Sequence, residues 1–194
     1  MSNRMADTQT QPQRPMRADA RRNYEKLVTA ARDVFTEQGS TASLEAVAEH
    51  AGLGIGTLYR HFPTRQALLE AVYADEVEAM ARSARDLADR RPWDALSEWF
   101  HQYVGFAATK RALMEGLLEA GPESDVLTTC RAALLQAGDE LIGRGQAAGV
   151  VRPDVDFMDV ARMISQIAVA PNADAAQKER MLGIVLDGLR ARPA

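Results

Sequence analysis

Twenty residues, Ser43 to Phe62 (SLEAVAEHAGLGIGTLYRHF), restrict the fold of this 194-residue chain more than any other stretch. Leu44, Val47, Ala48 and Ala51 recur at i, i+3, i+4 and i+7, which places them on one side of a helix. Ser43 stands just ahead, where its hydroxyl can accept from the first unpaired N–H groups. Gly52 can take a positive φ and end that helix abruptly, with Leu53 and Gly54 completing a tight turn. A second helix then runs from about Ile55 to Phe62. Its expected inward side is Ile55, Leu58 and Phe62, and its outward side is Gly56, Thr57, Tyr59, Arg60 and His61. An αα-hairpin with a solvated face would use the same pattern. A helix-turn-helix accounts for it better, because the second helix of that motif lies in the DNA major groove and must carry polar reach outward.

The surrounding residues carry a resemblance. LYRHFPTRQALLEAVY, following a helix that ends in FTEQG, resembles the TetR family of bacterial transcriptional regulators over about Arg17 to Tyr73. Further on, the likeness is one of architecture. It implies that Tyr59 and His61 grip phosphate oxygens, and that Arg65, standing where a lysine is usual, does the same. Ser43 can serve phosphate as well as the helix cap. Thr57 and Arg60 are the better candidates for base edges, since Arg bidentate to guanine is the commonest specific contact. Gly56 belongs to the same reading surface. Gly54 and Gly56 stand where Ser or Thr is found in such sequences; they permit close backbone approach but leave few groups for readout, so DNA shape would contribute.

The formal net charge of −4 looks wrong for a DNA binder until the chain is divided. Residues 1–65 carry nine Lys/Arg against seven Asp/Glu, net +2, and residues 66–194 carry fourteen against twenty, net −6. A positive end would meet phosphate while a negative body is held away from it. Arg14, Arg17, Arg21 and Arg22 gather ahead of the motif, either as a solvated tail or as an arm touching phosphate or the minor groove. Residues 1 to about 16, rich in Gln, Thr and Pro, are expected to be a disordered tail. A single cysteine, Cys130, excludes an internal disulfide. Neither a signal-peptide pattern nor a membrane-spanning run is seen, so the expected location is the cytoplasm.

Scarce aromatics and abundant Ala and Leu point to an all-α fold. A first helix is expected over about Ala18–Gln38, striped by Tyr24, Leu27, Val28, Ala31, Val34 and Phe35. Residues 17–62 would form the DNA-binding head and residues 63–194 an effector-binding and dimerisation body. Thr64 caps a fourth helix expected to reach about Arg90, roughly 40 Å at ~1.5 Å per residue, and to be the only element touching both units. Pro92 breaks the path. Helices follow over about Trp93–Ala108, Arg111–Ala120, Glu123–Ala148, Phe157–Ala170 and Ala173–Ala191, with Asp156 and Asp159 forming a cap for the fourth of these. Gly138, Gly143 and Gly145 weaken the long one, so it either packs closely or bends there.

Between the fourth helix and the one beginning at Phe157, a sensor pocket is expected, with Met80, Trp99, Tyr103, Phe106, Met114, Leu117, Cys130 and Gln166 as candidates. No run of one charge marks this region, so an apolar or aromatic effector is expected, its binding releasing a repressor from DNA. The resemblance further implies a homodimer through the last two helices, with Val160, Ile164, Ile167, Met181, Leu182, Val185 and Leu189 as candidate contacts. An enzyme is the rival reading. His50, His61 and His101 are not spaced as metal ligands, and no Gly-rich phosphate loop is present. His101 and Cys130 are the one conceivable base–nucleophile pair, while a lone Cys in an Ala/Leu helix more commonly packs. Neither metal nor cofactor is expected. A protein-interaction module would explain the body but not the Thr57 to His61 face.

Overall fold

The computed structural model describes residues 14–39, 41–120 and 124–191, with the side chains of 14–17 and 118–120 outside that description. Residues 1–13 of the expected tail likewise lie outside it. Among the described residues there are eight helices: α1 (Arg14–Gln38), α2 (Leu44–His50), α3 (Ile55–His61), α4 (Arg65–Asp86), α5 (Pro92–Ala120), α6 (Asp125–Ala147), α7 (Phe157–Ala168) and α8 (Ala175–Leu189). The all-α expectation holds. None of these helices is long and apolar enough to cross a membrane.

Helix starts follow local chemistry. The hydroxyls of Ser43 and Thr64 accept from the N–H groups of Ala46 and Ala67, at 3.0 and 3.1 Å. Asp156 and Asp159 cap each other reciprocally at the start of α7. Gly52 ends α2 with φ +65°, a conformation that L side chains rarely adopt. Pro92 opens α5 at the first helical position, where its missing N–H costs nothing.

α1, α2 and α3 close around Leu27, Val34, Phe35, Val47 and Leu58, all buried. α4 then packs along α5 and α6, and α5 along α7. Trp99 is wedged among Phe100, Tyr103 and Phe157, and its indole N–H donates to the Met80 carbonyl at 3.0 Å. That donation satisfies the one polar atom of a wholly buried ring.

Four expectations need correction. α1 begins at Arg14, ahead of Ala18 and inside the expected tail. α4 ends at Asp86 rather than near Arg90, and Arg144 of α6 donates to the carbonyls of Ala88 and Arg90 just beyond it. The two helices expected over 93–120 are one continuous helix of 29 residues. Thr109, in the expected gap, is buried with its hydroxyl 3.4 Å from that of Thr36 on α1, so a polar break in the pattern is absorbed by a partner on another helix. For the same reason α4 does not alone connect head and body. α5 meets α1 at Thr109, while Arg32 of α1 pairs with Asp75 and Glu76 of α4. Burial pushes the Glu76 carboxyl above its ordinary value, with Arg32 working the other way.

The glycines of α6 resolve into close packing. A Cβ on Gly138 would collide with the Phe157 ring, and one on Gly145 with the Val151 side chain, whereas Gly143 faces open space. Gly138→Ala is therefore expected to lower stability by about 1–3 kcal/mol through overpacking. Gly143→Ala should be neutral or stabilise by up to ~1 kcal/mol. Urea denaturation of both variants checks this; equal midpoints would refute it.

Candidate nucleic-acid interface and sensor cavity

The seven-residue α3 is held by Leu58 and Phe62, both buried, the latter under the ring of Tyr24 at 5.1 Å between centroids. With those anchors inside, the helix turns Gly56, Tyr59 and Arg60 to solvent; Tyr59 is 46% exposed. Thr57 and His61 are half-buried at the edges of that face, and the His61 ring lies edge-on to Tyr24. Ile55 does not face inward as expected. It is 36% exposed, one turn before Tyr59 on the same surface, because position one of α3 lies beyond the reach of the core that Leu58 fills. Ile55 is thus a surface residue that the inward stripe concealed. Gly54 caps α3 without a side-chain acceptor, and added Cβ atoms on Gly54 or Gly56 would meet nothing within 4 Å. Packing within the chain gives no reason for either glycine.

The expected phosphate contacts divide. Ser43 is exposed, although its hydroxyl is occupied by the α2 cap. Arg21 and Arg22 are exposed on α1 and pair with Glu25 and Asp19 of the same helix. The Arg17 side chain lies outside the description. Arg65 departs from expectation. Its guanidinium donates to the Ala42 carbonyl at 2.6 Å and sits 5.0 Å over the Phe35 ring, clamping the start of α4 to α1 and to the segment ahead of α2. Those contacts make it a brace for the head.

In the body, a cavity of about 290 Å³ opens between α4, α5, α6 and α7. Tyr103, Met114 and Gln166 line it. Met80, Trp99, Phe106, Leu117 and Cys130 do not; they are buried in the surrounding core, where interior packing leaves no free surface. The sequence reading missed Tyr73, Leu134, Phe157 and three cations, Lys110, Arg131 and Arg162, which α5, α6 and α7 bring to the same cavity. No local pattern announces them, since they are far apart in the chain. Burial and the nearby Arg131 push the Lys110 ammonium below its ordinary value. Burial raises the Tyr103 phenol, partly offset by a hydrogen bond with Ser165.

The enzyme alternative loses its one pair. Both ring nitrogens of His101 are engaged, by the Ser97 carbonyl at 2.6 Å and by Glu179 of α8 at 3.0 Å. Cys130 is buried on α6, and that burial raises its thiol, away from the reactive thiolate. Among the described residues no group of three or more His, Cys, Asp or Glu is placed to hold a metal ion.

The candidate dimer contacts also divide. Val160, Ile164, Ile167, Leu182 and Leu189 are buried within the chain's own core, with Ile164 fully inaccessible. Their stripes meet α5 and each other, so none presents a surface to a second copy. Met181 and Val185 are half-buried, and the apolar groups that α7 and α8 do turn outward are Met163, 45% exposed, and Ile184, 72% exposed.

Comparison with known proteins agrees with this geometry. Residues 27–72 match the family model for bacterial regulatory proteins of the tetR family, and residues 91–191 match "Transcriptional regulator SbtR-like, C-terminal domain". A crystal structure of a TetR transcriptional regulator from Streptomyces coelicolor is similar, at 36% identity and TM-score 0.75, covering 88% of this chain and 99% of that one. A TetR regulatory protein from Mycobacterium vanbaalenii matches at 35% identity and TM-score 0.73, over 91% of this chain and 99% of its own. The HTH-type transcriptional regulator UidR of Escherichia coli K12 is 24% identical over 165 residues, 82% of this chain and 84% of that protein. A two-helix reading motif on a four-residue turn, an SbtR-like helical body and relatives that match nearly end to end lead to one assignment: this chain belongs to the TetR family and is a DNA-binding transcriptional regulator.

Proposed function

We propose that the protein is a cytoplasmic repressor that binds a two-fold operator as a homodimer and leaves it when a small molecule fills the body cavity. The observation that carries this reading is the pairing of an outward-facing α3 with a cavity whose walls include Tyr73 of α4 and Lys110 of α5, near two of the places where the body touches α1. In this reading residues 17–62 form the head and 63–194 the body. Arg60, Thr57, Gly56 and Ile55 meet base edges, the apolar Ile55 suiting a thymine methyl. Tyr59, His61, Ser43 and the α1 arginines Arg17, Arg21 and Arg22 meet phosphate, which positions the head without reading sequence. Met163 and Ile184, beside Met181 and Val185, meet the second copy, since a palindromic operator calls for two heads related by two-fold symmetry.

A ligand can move the protein off DNA only by preferring the arrangement of heads that DNA does not. Coupling of that kind is typically about 1–3 kcal/mol and is reciprocal. Operator selected from a random DNA pool should therefore weaken effector binding by the factor, about 5- to 150-fold, by which the effector weakens operator binding. A reporter downstream of that operator should be silent with the protein and active once effector is added. A reporter that rises with the protein alone would replace repression with activation. Equal effector affinity with and without operator would remove the release mechanism.

A further inference from the structure

We infer that the cavity between α4, α5, α6 and α7 takes an amphipathic anion, a molecule with an aryl or alkyl body and a carboxylate or phosphate at one end. This rests on reading the cavity as the effector site and assigns the ligand's chemical class within that reading. Phe157, Leu134 and Met114 give the cavity apolar lining. Lys110, Arg131 and Arg162, from three different helices, line it as well, Arg131 close enough to Lys110 to act on its charge, and no Asp or Glu is among the described residues that line it.

That convergence runs against its surroundings. Residues 66–194 carry fourteen Lys/Arg and twenty Asp/Glu, and several arginines elsewhere in the body pair with acids, as Arg85 does with Glu78 and Arg152 with Asp154. None of the three cavity cations has an acid partner among the described residues. Arg131 and Arg162 are exposed at the cavity's edge and Lys110 is half-buried, so the cost of an uncompensated like charge falls chiefly on Lys110. The depressed Lys110 ammonium records both its burial and the nearby Arg131. An anion seated among the three would supply the missing charge and gain charge-assisted hydrogen bonds, bidentate where it meets an arginine. A second space of about 240 Å³ adjoins the first and shares Lys110, Met114, Ser165 and Gln166 with it, so Lys110 stands where an anionic head can be met from either side. On this inference the apolar or aromatic effector expected from the sequence carries an anionic end.

The test uses matched probes on the full chain, read by calorimetry: phenylbutyrate, its phosphate-ester counterpart, phenylbutanamide and phenylbutylamine, then decanoate with decanamide. At least one anion is expected to bind about tenfold or more tightly than the amide of the same body, with the amine weakest. Lys110→Gln and Arg131→Gln should each remove most of that advantage while leaving amide binding within about twofold; circular dichroism checks that both variants fold. The inference is overturned if amide and anion bind alike, if neither substitution changes their ratio, or if no anion of either set binds at millimolar concentration. Anions that bind as expected but leave operator affinity unchanged would uphold this inference and defeat the effector reading. Release of DNA by the neutral amides alone would do the reverse.

Discussion

Ile184→Asp is expected to convert the protein to a folded monomer that has lost most of its affinity for operator, whereas Ile164→Asp should not yield a folded protein at all. The two isoleucines lie on neighbouring helices, yet Ile184 is 72% exposed and Ile164 is fully buried. A carboxylate at 164 would be enclosed by apolar groups without a partner, a change at the severe end of single substitutions, above about 4 kcal/mol. At 184 a carboxylate remains solvated in the monomer and is desolvated only if a second copy covers it. Two linked heads gain affinity because the second binding event is intramolecular, and separating them removes a factor of about 10² or more. Sedimentation velocity, circular dichroism and gel shift on both variants check the pair of outcomes. Dimers of Ile184→Asp with undiminished operator affinity would move the interface elsewhere.

Arg60→Ala and Arg65→Ala, five residues apart, are expected to fail differently. Arg60 is exposed on α3 with no ion pair among the described residues. Its loss should cost about 1–3 kcal/mol on the preferred site and relax the requirement at one base position. Arg65 holds the Ala42 carbonyl and covers Phe35. Its loss should lower the melting temperature of the head and weaken binding to every sequence alike, because a misplaced α3 misreads all of them. Selection from a random pool, with thermal melts beside it, distinguishes the two. A site logo that Arg60→Ala leaves intact would take base reading away from that residue.

What the sequence reveals here is what forms over a few residues. Ser43, Thr64 and Asp156 are legible as caps because each acts on an N–H three residues on, and Gly52 is legible as a turn for the same local reason. Periodicity identifies which side chains are hidden but not what hides them. Ile164 and Leu189 have the stripe expected of an interface and instead meet their own chain. Ile55 fits an inward stripe and lies outside it, because a helix of seven residues has only about one buried turn. The cavity was the least legible part. Its cations converge only once α5, α6 and α7 are packed, and a void is defined by where side chains stop, which no single helix encodes.

Beyond the Arg65 brace, the head and body meet at two unequal contacts. On one, Arg32 is gripped by the two carboxylates of Asp75 and Glu76; on the other, Thr36 and Thr109 share one neutral hydroxyl contact at 3.4 Å. Bonds to charged groups are roughly twice as strong as neutral ones. A stress arriving from the body should therefore part the threonines first and leave the ion pairs closed. The head would then swing like a door, hinged at α4 and latched at α5. A motion of that form changes the pitch of the recognition helix while keeping its distance from the hinge nearly fixed, so under the dimeric repressor proposed above the two half-sites would be lost through tilt.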